Sequence, residues 1–139
     1  MAAKTKVFFD LNIILDVLQS RESFYEASAQ LLAYAETGKV QGFIAPHSLT
    51  TLFYLISKDQ SAAKARATIT NLLQFLSIAK IDQSTIEQAM SLTYRDFEDA
   101  VQMIAAVQSR ADYFVTRNPK DFQPPMLTVI QPSELLALI

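Results

Sequence analysis

Acidic side chains interrupt two apolar stretches of this 139-residue sequence. Near the N-terminus, the stretch VFFDLNIILDVL at 7–18 carries three polar side chains, Asp10, Asn12 and Asp16. Much later in the chain, Asp99 falls among Ala, Val, Met and Ile. A carboxylate withdrawn from water must be paired, hydrogen-bonded or bound to a metal, because an isolated buried charge is costly. Carboxylates that converge from distant parts of a chain form a site for a hard divalent cation such as Mg²⁺ or Mn²⁺.

A cation of this kind supports hydrolysis that needs no nucleophile from the protein. It lowers the pKa of a bound water and neutralises the charge that develops on a scissile phosphate. The chain has no cysteine and a single histidine, His47, which excludes Cys–His catalysis and a zinc site rich in Cys or His. Any metal must therefore bind through oxygen atoms.

Strand and helix ends must position these side chains, and the apolar pattern predicts where those ends lie. Short apolar runs predict strands at 6–9, 42–45, 77–81, 112–116 and 127–130. Apolar residues spaced by three and four predict helices after Asp10, over 23–37, from a cap at Ser48, over 61–76, over 83–93 from Gln83 or Ser84, over 96–110, and after Pro132. Alternating strands and helices predict an α/β fold with a short, mostly parallel sheet flanked by helices.

Several polar residues follow the predicted strands directly. Asp10 follows the first strand, 48–51 the second and 116–118 the fourth. In open α/β sheets, ligands bind outside the carboxyl ends of the strands. Capping of the next helix is the simpler explanation for such residues. It does not account for Asn12 and Asp16, which continue a polar stripe along the following helix, so we favour a functional role for Asp10.

The predicted helix at 96–110 has a polar stripe that we interpret as its solvated face, formed by Arg95, Glu98, Gln102 and Ser109. Asp99 lies off this stripe, beside Met103, on a helix that is otherwise mostly apolar. Asp96 shares the side of Asp99. The alternatives to metal binding are a salt bridge to Arg110 or Arg117, or stabilisation of the helix N-terminus by its dipole.

Composition and charge bound the class of protein. Half of the residues are hydrophobic and no linker interrupts the chain, which predicts one domain over 1–139. Twelve Lys and Arg against fourteen Asp and Glu give a net charge of −2, so any nucleic-acid contact must depend on local clusters. The lack of cysteine fits a reducing compartment, and no apolar segment resembles a signal peptide or a membrane span. We expect a cytoplasmic protein with no membrane contact.

Three segments, in this order and spacing, resemble the PIN domain family, in particular the toxin-like (VapC-type) PIN proteins of bacterial toxin–antitoxin pairs. They are FFDLNIILDVL, GFIAPHSLTTLFYLISK and DFEDAVQMIAAVQSRADYFVTRNPKDF. The last is the most specific, with Asp-Ala on a helix followed by apolar residues, Thr-Arg-Asn and Asp-Phe. The resemblance covers nearly the whole chain. It implies a three-layer α/β/α ribonuclease whose acidic cluster binds Mg²⁺ or Mn²⁺, with RNA as substrate and an antitoxin protein as partner.

The resemblance also assigns roles to individual residues. Asp10 and Asp99 match the catalytic, metal-binding acids of the family. The expected metal ligands are Asp10, Asp99, Asp96 and Asn118, and the expected supporting residues are Asn12, Asp16, Thr51, Thr116 and Asp121. Arg117 and Lys120 are the expected substrate-binding residues, and weaker candidates for phosphate contact are Arg21, Arg95 and His47.

One position departs from the family pattern. Thr51 stands where the family has a glutamate, and a hydroxyl carries no charge. Two functions therefore stay open: a metal-dependent ribonuclease, as the toxin of a pair, or a catalytically weak or inactive PIN-fold module that binds RNA or protein. A phosphotransferase with Asp10 as nucleophile is disfavoured, because Asn12 occupies the place of the second aspartate which that chemistry requires. Four aromatic residues could form a homodimer or antitoxin surface, or belong to the core: Phe24, Tyr25, Phe53 and Tyr54.

Overall fold

The computed structural model describes residues 3–139, which form five strands and seven α-helices. The strands are β1 (Lys6–Phe9), β2 (Gln41–Ile44), β3 (Leu76–Ile78), β4 (Tyr113–Val115) and β5 (Thr128–Ile130). The helices are α1 (Leu11–Leu18), α2 (Tyr25–Glu36), α3 (Pro46–Asp59), α4 (Ala62–Leu72), α5 (Gln83–Met90), α6 (Phe97–Gln108) and α7 (Pro132–Leu138), with a short 3₁₀ turn at Pro119–Asp121. No helix in this part of the chain is long and apolar enough to cross a membrane.

The strands form one sheet in the order β3-β2-β1-β4-β5, and all four pairings are parallel. The prediction of a short, mostly parallel sheet is confirmed. In the central register, Phe8 of β1 lies opposite Phe43 of β2 and Phe114 of β4. The chain leaves β1 toward β2 on one side and returns to β4 on the other, so the strand order reverses at β1. Such a switch point opens a crevice outside the carboxyl ends of the two neighbouring strands, here β1 and β4.

Helices cover both faces of this sheet. Val7 and Phe9 point to the face covered by α1, α2, α3, α4 and α7. Phe8 and Phe114 point to the opposite face, where they stack with ring centroids 5.3 Å apart and pack with Met103 of α6. Helix α5 packs against the outside of α6. The predicted three-layer α/β/α architecture is therefore confirmed.

One predicted helix start is wrong for a local chemical reason, and another is confirmed. Helix α3 begins at Pro46 and not after a cap at Ser48, because proline is favoured at the first helical position with an extended residue before it. Ser48 is instead buried inside the helix. Helix α5 begins at Gln83, one of the two predicted starts, and Asp82 is its N-cap. The Asp82 carboxylate accepts a backbone hydrogen bond from the third helical residue at 3.1 Å.

Candidate active site at the carboxyl ends of β1 and β4

Asp10 lies at the carboxyl end of β1, where the sequence predicts it. Its backbone N–H donates to the carbonyl oxygen of Val115 at 3.1 Å, which holds it beside the end of β4. Asp10 occupies the N-cap position of α1, yet its side chain makes no capping hydrogen bond. The side chain is only 5% exposed. Capping therefore does not explain this aspartate, and its carboxylate is available to a site at the switch point.

Thr116 orients the Asp10 carboxylate. The fully buried hydroxyl of Thr116, directly after β4, donates to Oδ2 of Asp10 at 2.8 Å. The same hydroxyl accepts the backbone N–H of Asn118 at 3.2 Å. The polar groups of the neighbouring Asn12 also lower the pKa of Asp10. The carboxylate is thus held in one orientation before any ligand binds.

Gln102 of α6 joins the two aspartates that the sequence places far apart. Its Nε2 donates to Oδ1 of Asp10 at 3.5 Å and to Oδ1 of Asp99 at 3.4 Å. Both bonds are long, so each is weak. Gln102 is only 4% exposed, and the interpretation of this residue as part of a solvated face is wrong. Its contact with Asp10 places it on the side of α6 that faces the end of β1, and the helical pattern of a short segment does not reveal such a tertiary contact.

The aspartate cluster carries negative charge that no nearby cation neutralises. Burial, followed by the negative charges of Asp96, Asp10, Asp121 and Glu98, raises the pKa of Asp99 to about 7. Burial also raises the pKa of Asp10, although its hydrogen bonds oppose the shift. Within residues 3–139, no Lys or Arg forms a salt bridge with Asp10 or Asp99. A bound cation would relieve this repulsion.

The pKa of Asp99 predicts how stability depends on pH in the metal-free protein. The folded-state pKa of about 7 lies above 3.8, the ordinary pKa of an aspartate side chain. Between these values the folded state binds more protons than the unfolded state, so stability falls as pH rises from about 4 to about 7. In Asp99→Asn, stability should fall less over this pH range, and its Tm at pH 8 should be about 2–6 °C above that of wild type. Thermal unfolding in EDTA across this range is the measurement; an unchanged fall in the variant would contradict the assignment to Asp99.

Asp96 and Asp121 lie near Asp99, on the side open to solvent. Asp96 caps α6, and its Oδ1 accepts the backbone N–H of Glu98 at 2.8 Å. An open cavity of about 580 Å³ is lined by Arg95, Asp96, Phe97, Asp99 and Asp121. Asn118 and Lys120 are exposed. Asp96, Asp99 and Asp121 therefore border a cleft that a solvated ligand can enter, whereas Asn118 and Lys120 are exposed but do not line it.

Asp16 and Arg117 contact each other, and Asp16 is close enough to Asp10 for the charge of Asp10 to raise its pKa. The fully buried Asp16 carboxylate lies 3.4 Å from Nη1 of Arg21 and 3.4 Å from Nε of Arg117. The guanidinium of Arg117 also stacks over the ring of Phe24, 4.6 Å from its centroid. Burial raises the pKa of Asp16, and the two arginines lower it. The structure thus gives Asp16 two positive neighbours, and gives Arg117 contacts that compete with the binding of a phosphate.

Loss of the Asp16 charge should destabilise the fold. Asp16→Asn leaves Arg117 and Arg21 without their anionic partner at a buried position, and we expect a loss of about 1–3 kcal/mol in the free energy of unfolding. Urea denaturation is the measurement. Glu22→Gln, an exposed change beside Arg21, is the control and should alter stability by less than about 0.5 kcal/mol. An unchanged free energy of unfolding in Asp16→Asn would mean that the ion pair contributes nothing to stability.

Comparison with known proteins identifies the family. A family model described as "PIN domain" matches residues 6–120. The chain belongs to the PIN domain family. This PIN protein is 26% identical over 134 residues to ribonuclease VapC1 of Aquifex aeolicus (strain VF5), and the match covers 93% of this chain and 92% of that one. The resemblance predicted from the sequence motifs is confirmed.

Solved structures share the fold. A toxin–antitoxin complex from Klebsiella pneumoniae superimposes with a TM-score of 0.69 and 25% identity, covering 91% of this chain and 97% of that one. VapBC2 from Rickettsia felis, bound to a DNA fragment from its promoter, superimposes with a TM-score of 0.68 and 18% identity, covering 91% and 98%. The three-layer architecture of this PIN protein is therefore that of VapC-type toxins.

Thr51 lies in the second turn of α3, half-buried, after β2. Across residues 3–139, no group of three or more His, Cys, Asp or Glu side chains comes together in a way that could hold a metal ion. The acidic cluster of this PIN protein thus consists of two carboxylates, those of Asp10 and Asp99, bridged by the amide of Gln102.

His47 also lies on α3, where burial lowers its pKa. It lines a mainly apolar cavity of about 480 Å³ together with Thr50 and Phe97.

The aromatic residues considered as a partner surface divide into two groups. Phe24, Tyr25 and Tyr54 are exposed, and Phe53 packs partly against the core. Phe24 lies under Arg117, whereas Tyr54 lies on the outer surface of α3. Three of the four residues are therefore accessible to a partner in this PIN protein.

Proposed function

We propose that this PIN protein is a Mg²⁺- or Mn²⁺-dependent endoribonuclease that acts as the toxin of a toxin–antitoxin pair. The observation that carries the proposal is the meeting of Asp10 and Asp99 at Gln102, with no basic side chain pairing either carboxylate in the described chain. The Aquifex relative is named a ribonuclease, and the Klebsiella structure is a toxin–antitoxin complex. Both support this assignment.

The donor set fits a hard divalent cation. Mg²⁺ takes oxygen ligands and usually keeps several waters, binding through one or two carboxylates. Asp10 and Asp99 would hold the ion, and Asp96 and Asn118 are the further candidates at the open side. Burial and the neighbouring carboxylates raise the pKa of Asp99 to about 7, so near neutral pH this residue would release a proton on binding the cation. A third acidic ligand is not required for such a site.

The chain's own residues supply orientation. A bound divalent ion lowers the pKa of water and neutralises charge on the phosphodiester. Thr116 fixes the Asp10 carboxylate through its 2.8 Å hydrogen bond, so this group needs no rearrangement. Asp96 fixes the first turn of α6, which carries Asp99. Lys120, exposed in the turn that follows β4, and Arg95, which lines the cleft, are the candidates for contact with an RNA phosphate, since Arg117 is bound to Asp16.

A PIN-fold binding module without catalysis is the second candidate. It is favoured by one observation: Thr51 occupies the position of a family glutamate, so the cluster has less negative charge and lower affinity for a second ion. Such a module would bind RNA or a partner protein but leave the phosphodiester intact.

Metal-dependent cleavage of RNA distinguishes the two candidates. Protein treated with EDTA should leave a labelled, structured RNA intact, and added Mn²⁺ or Mg²⁺ should restore cleavage to products with defined ends. Binding of the RNA without cleavage in either ion would favour the binding module. Cleavage that is equally fast in EDTA would contradict the metal-dependent mechanism.

The toxin role predicts a partner and a compartment. An enzyme that cuts cellular RNA acts in the cytoplasm, and an antitoxin would bind it there and keep it inactive. The exposed Phe24, Tyr25 and Tyr54 are candidates for contact with the antitoxin or with a second copy in a homodimer. Induced expression of the chain alone should stop bacterial growth, and Asp99→Asn should not. Normal growth with the wild-type chain, expressed at the same level, would contradict the toxin role.

A further inference from the structure

Gln102 has an amide oxygen without a partner. The side chain is 4% exposed, and its Oε1 is buried without a hydrogen bond. The Nε2 atom, in contrast, lies between the carboxylates of Asp10 and Asp99. Because Oε1 forms no hydrogen bond and both bonds of Nε2 are long, only weak contacts oppose a turn of the amide about its terminal bond.

We propose that Gln102 is a ligand of the divalent cation at this site. When the cation binds, the amide turns by half a rotation about its terminal bond, and Oε1 takes the position that Nε2 holds without the ion. This inference rests on the proposed function, since it requires a cation between Asp10 and Asp99. The N–H group satisfies the two carboxylates in the absence of metal, and the oxygen faces the metal in its presence.

The spacing of the three side chains agrees with this role. The Nε2 position lies 3.5 Å from Oδ1 of Asp10 and 3.4 Å from Oδ1 of Asp99. Neighbouring ligand oxygens around an octahedral ion with bonds of about 2.1 Å are about 3 Å apart. Each of the two distances from the Gln102 amide is therefore only a few tenths of an ångström longer than the spacing of neighbouring ligands around such an ion.

Charge balance explains why a neutral amide suits this position. Thr51 supplies no carboxylate, and the charge of Asp16 is taken up by two arginines. A third carboxylate at position 102 would add to the repulsion that already surrounds Asp99. An amide oxygen provides a hard ligand without adding negative charge, so the cluster remains compatible with the fold when no metal is bound.

Mn²⁺ titration of two variants tests the proposal. Gln102→Met keeps the length of the side chain and removes its oxygen, and we expect its Kd for Mn²⁺ to be 10- to 100-fold weaker than that of wild type. Gln102→Glu keeps an oxygen at the same place and should bind Mn²⁺ at least as tightly as wild type. The protein is first stripped of metal with EDTA, and the EDTA is then removed. Isothermal titration calorimetry gives the Kd of each variant for Mn²⁺ without any use of RNA. Gln88→Met, an exposed change on α5, is the matched control and should leave Kd unchanged.

A purely structural role predicts the opposite result. If Gln102 only donates hydrogen bonds, Gln102→Met removes a donor that competes with the metal, and Mn²⁺ should then bind as tightly as in wild type or more tightly. That result would overturn the proposal. If the Gln102→Met variant does not fold, Gln102→Asn replaces it in the titration, because its shorter side chain cannot bring an oxygen to the same place. Wild-type affinity of Gln102→Asn for Mn²⁺ would also overturn the proposal. Failure of the wild-type chain to bind Mn²⁺ would instead contradict the proposed function itself.

Discussion

Asp10→Asn and Asp99→Asn are each expected to reduce RNA cleavage by about 10³-fold or more. A catalytic metal contributes several kcal/mol to transition-state stabilisation, and each 1.4 kcal/mol corresponds to a factor of ten in rate. Asparagine keeps the volume and the hydrogen-bonding oxygen of aspartate but removes the negative charge. The measurement is the single-turnover rate on a labelled RNA at saturating Mn²⁺.

The Asp99→Asn variant carries its own control for folding. Because Asp99→Asn removes like-charge repulsion, it should unfold at a higher temperature than wild type at pH 8, so a loss of cleavage cannot be attributed to loss of the fold. Asp59→Asn, an exposed change at the end of α3, should leave the rate unchanged. Cleavage at the wild-type rate in Asp99→Asn would remove this residue from the mechanism.

Thr116→Val should lower both the affinity for Mn²⁺ and kcat/KM for RNA by about 10- to 100-fold. The change keeps the shape of the buried side chain and removes the hydroxyl that donates to Oδ2 of Asp10 at 2.8 Å. Groups that orient a metal ligand typically contribute an effect of this size. The Asp10 carboxylate then loses its fixed orientation while its charge remains.

Thr116→Ser separates the hydroxyl from the methyl group. It keeps the donor to Asp10 and the acceptor for the Asn118 backbone, so it should retain Mn²⁺ affinity within about threefold of wild type. Equal affinities and rates for the Val and Ser variants would show that Thr116 contributes only packing.

Much of the architecture follows from local patterns. The apolar runs of β1 and β4 mark strands, and Asp10 and Thr116 follow them directly, so a parallel sheet places both residues at the same edge. The motifs around them led to the correct family. These predictions succeeded because strand ends and helix periods are properties of short segments.

Other features depend on tertiary contacts that short segments do not encode. Gln102 lies on a stripe of α6 that reads as polar, and its contact with Asp10 at the end of β1 shows that this side of the helix is buried beside the aspartates. Asp16 belongs to the polar pattern of α1, but its partner Arg117 comes from the end of β4. The one available signal for Gln102 was its position one turn after Asp99, on the same side of the helix.

Crystals grown with Mn²⁺ would test the central claim most directly. An anomalous difference map should show one strong peak bonded to carboxylate oxygens of both Asp10 and Asp99, at the edge of the sheet where β1 and β4 end. A map with no peak there, from crystals of protein that cleaves RNA in the same Mn²⁺ concentration, would contradict the assignment of these two aspartates as the metal site.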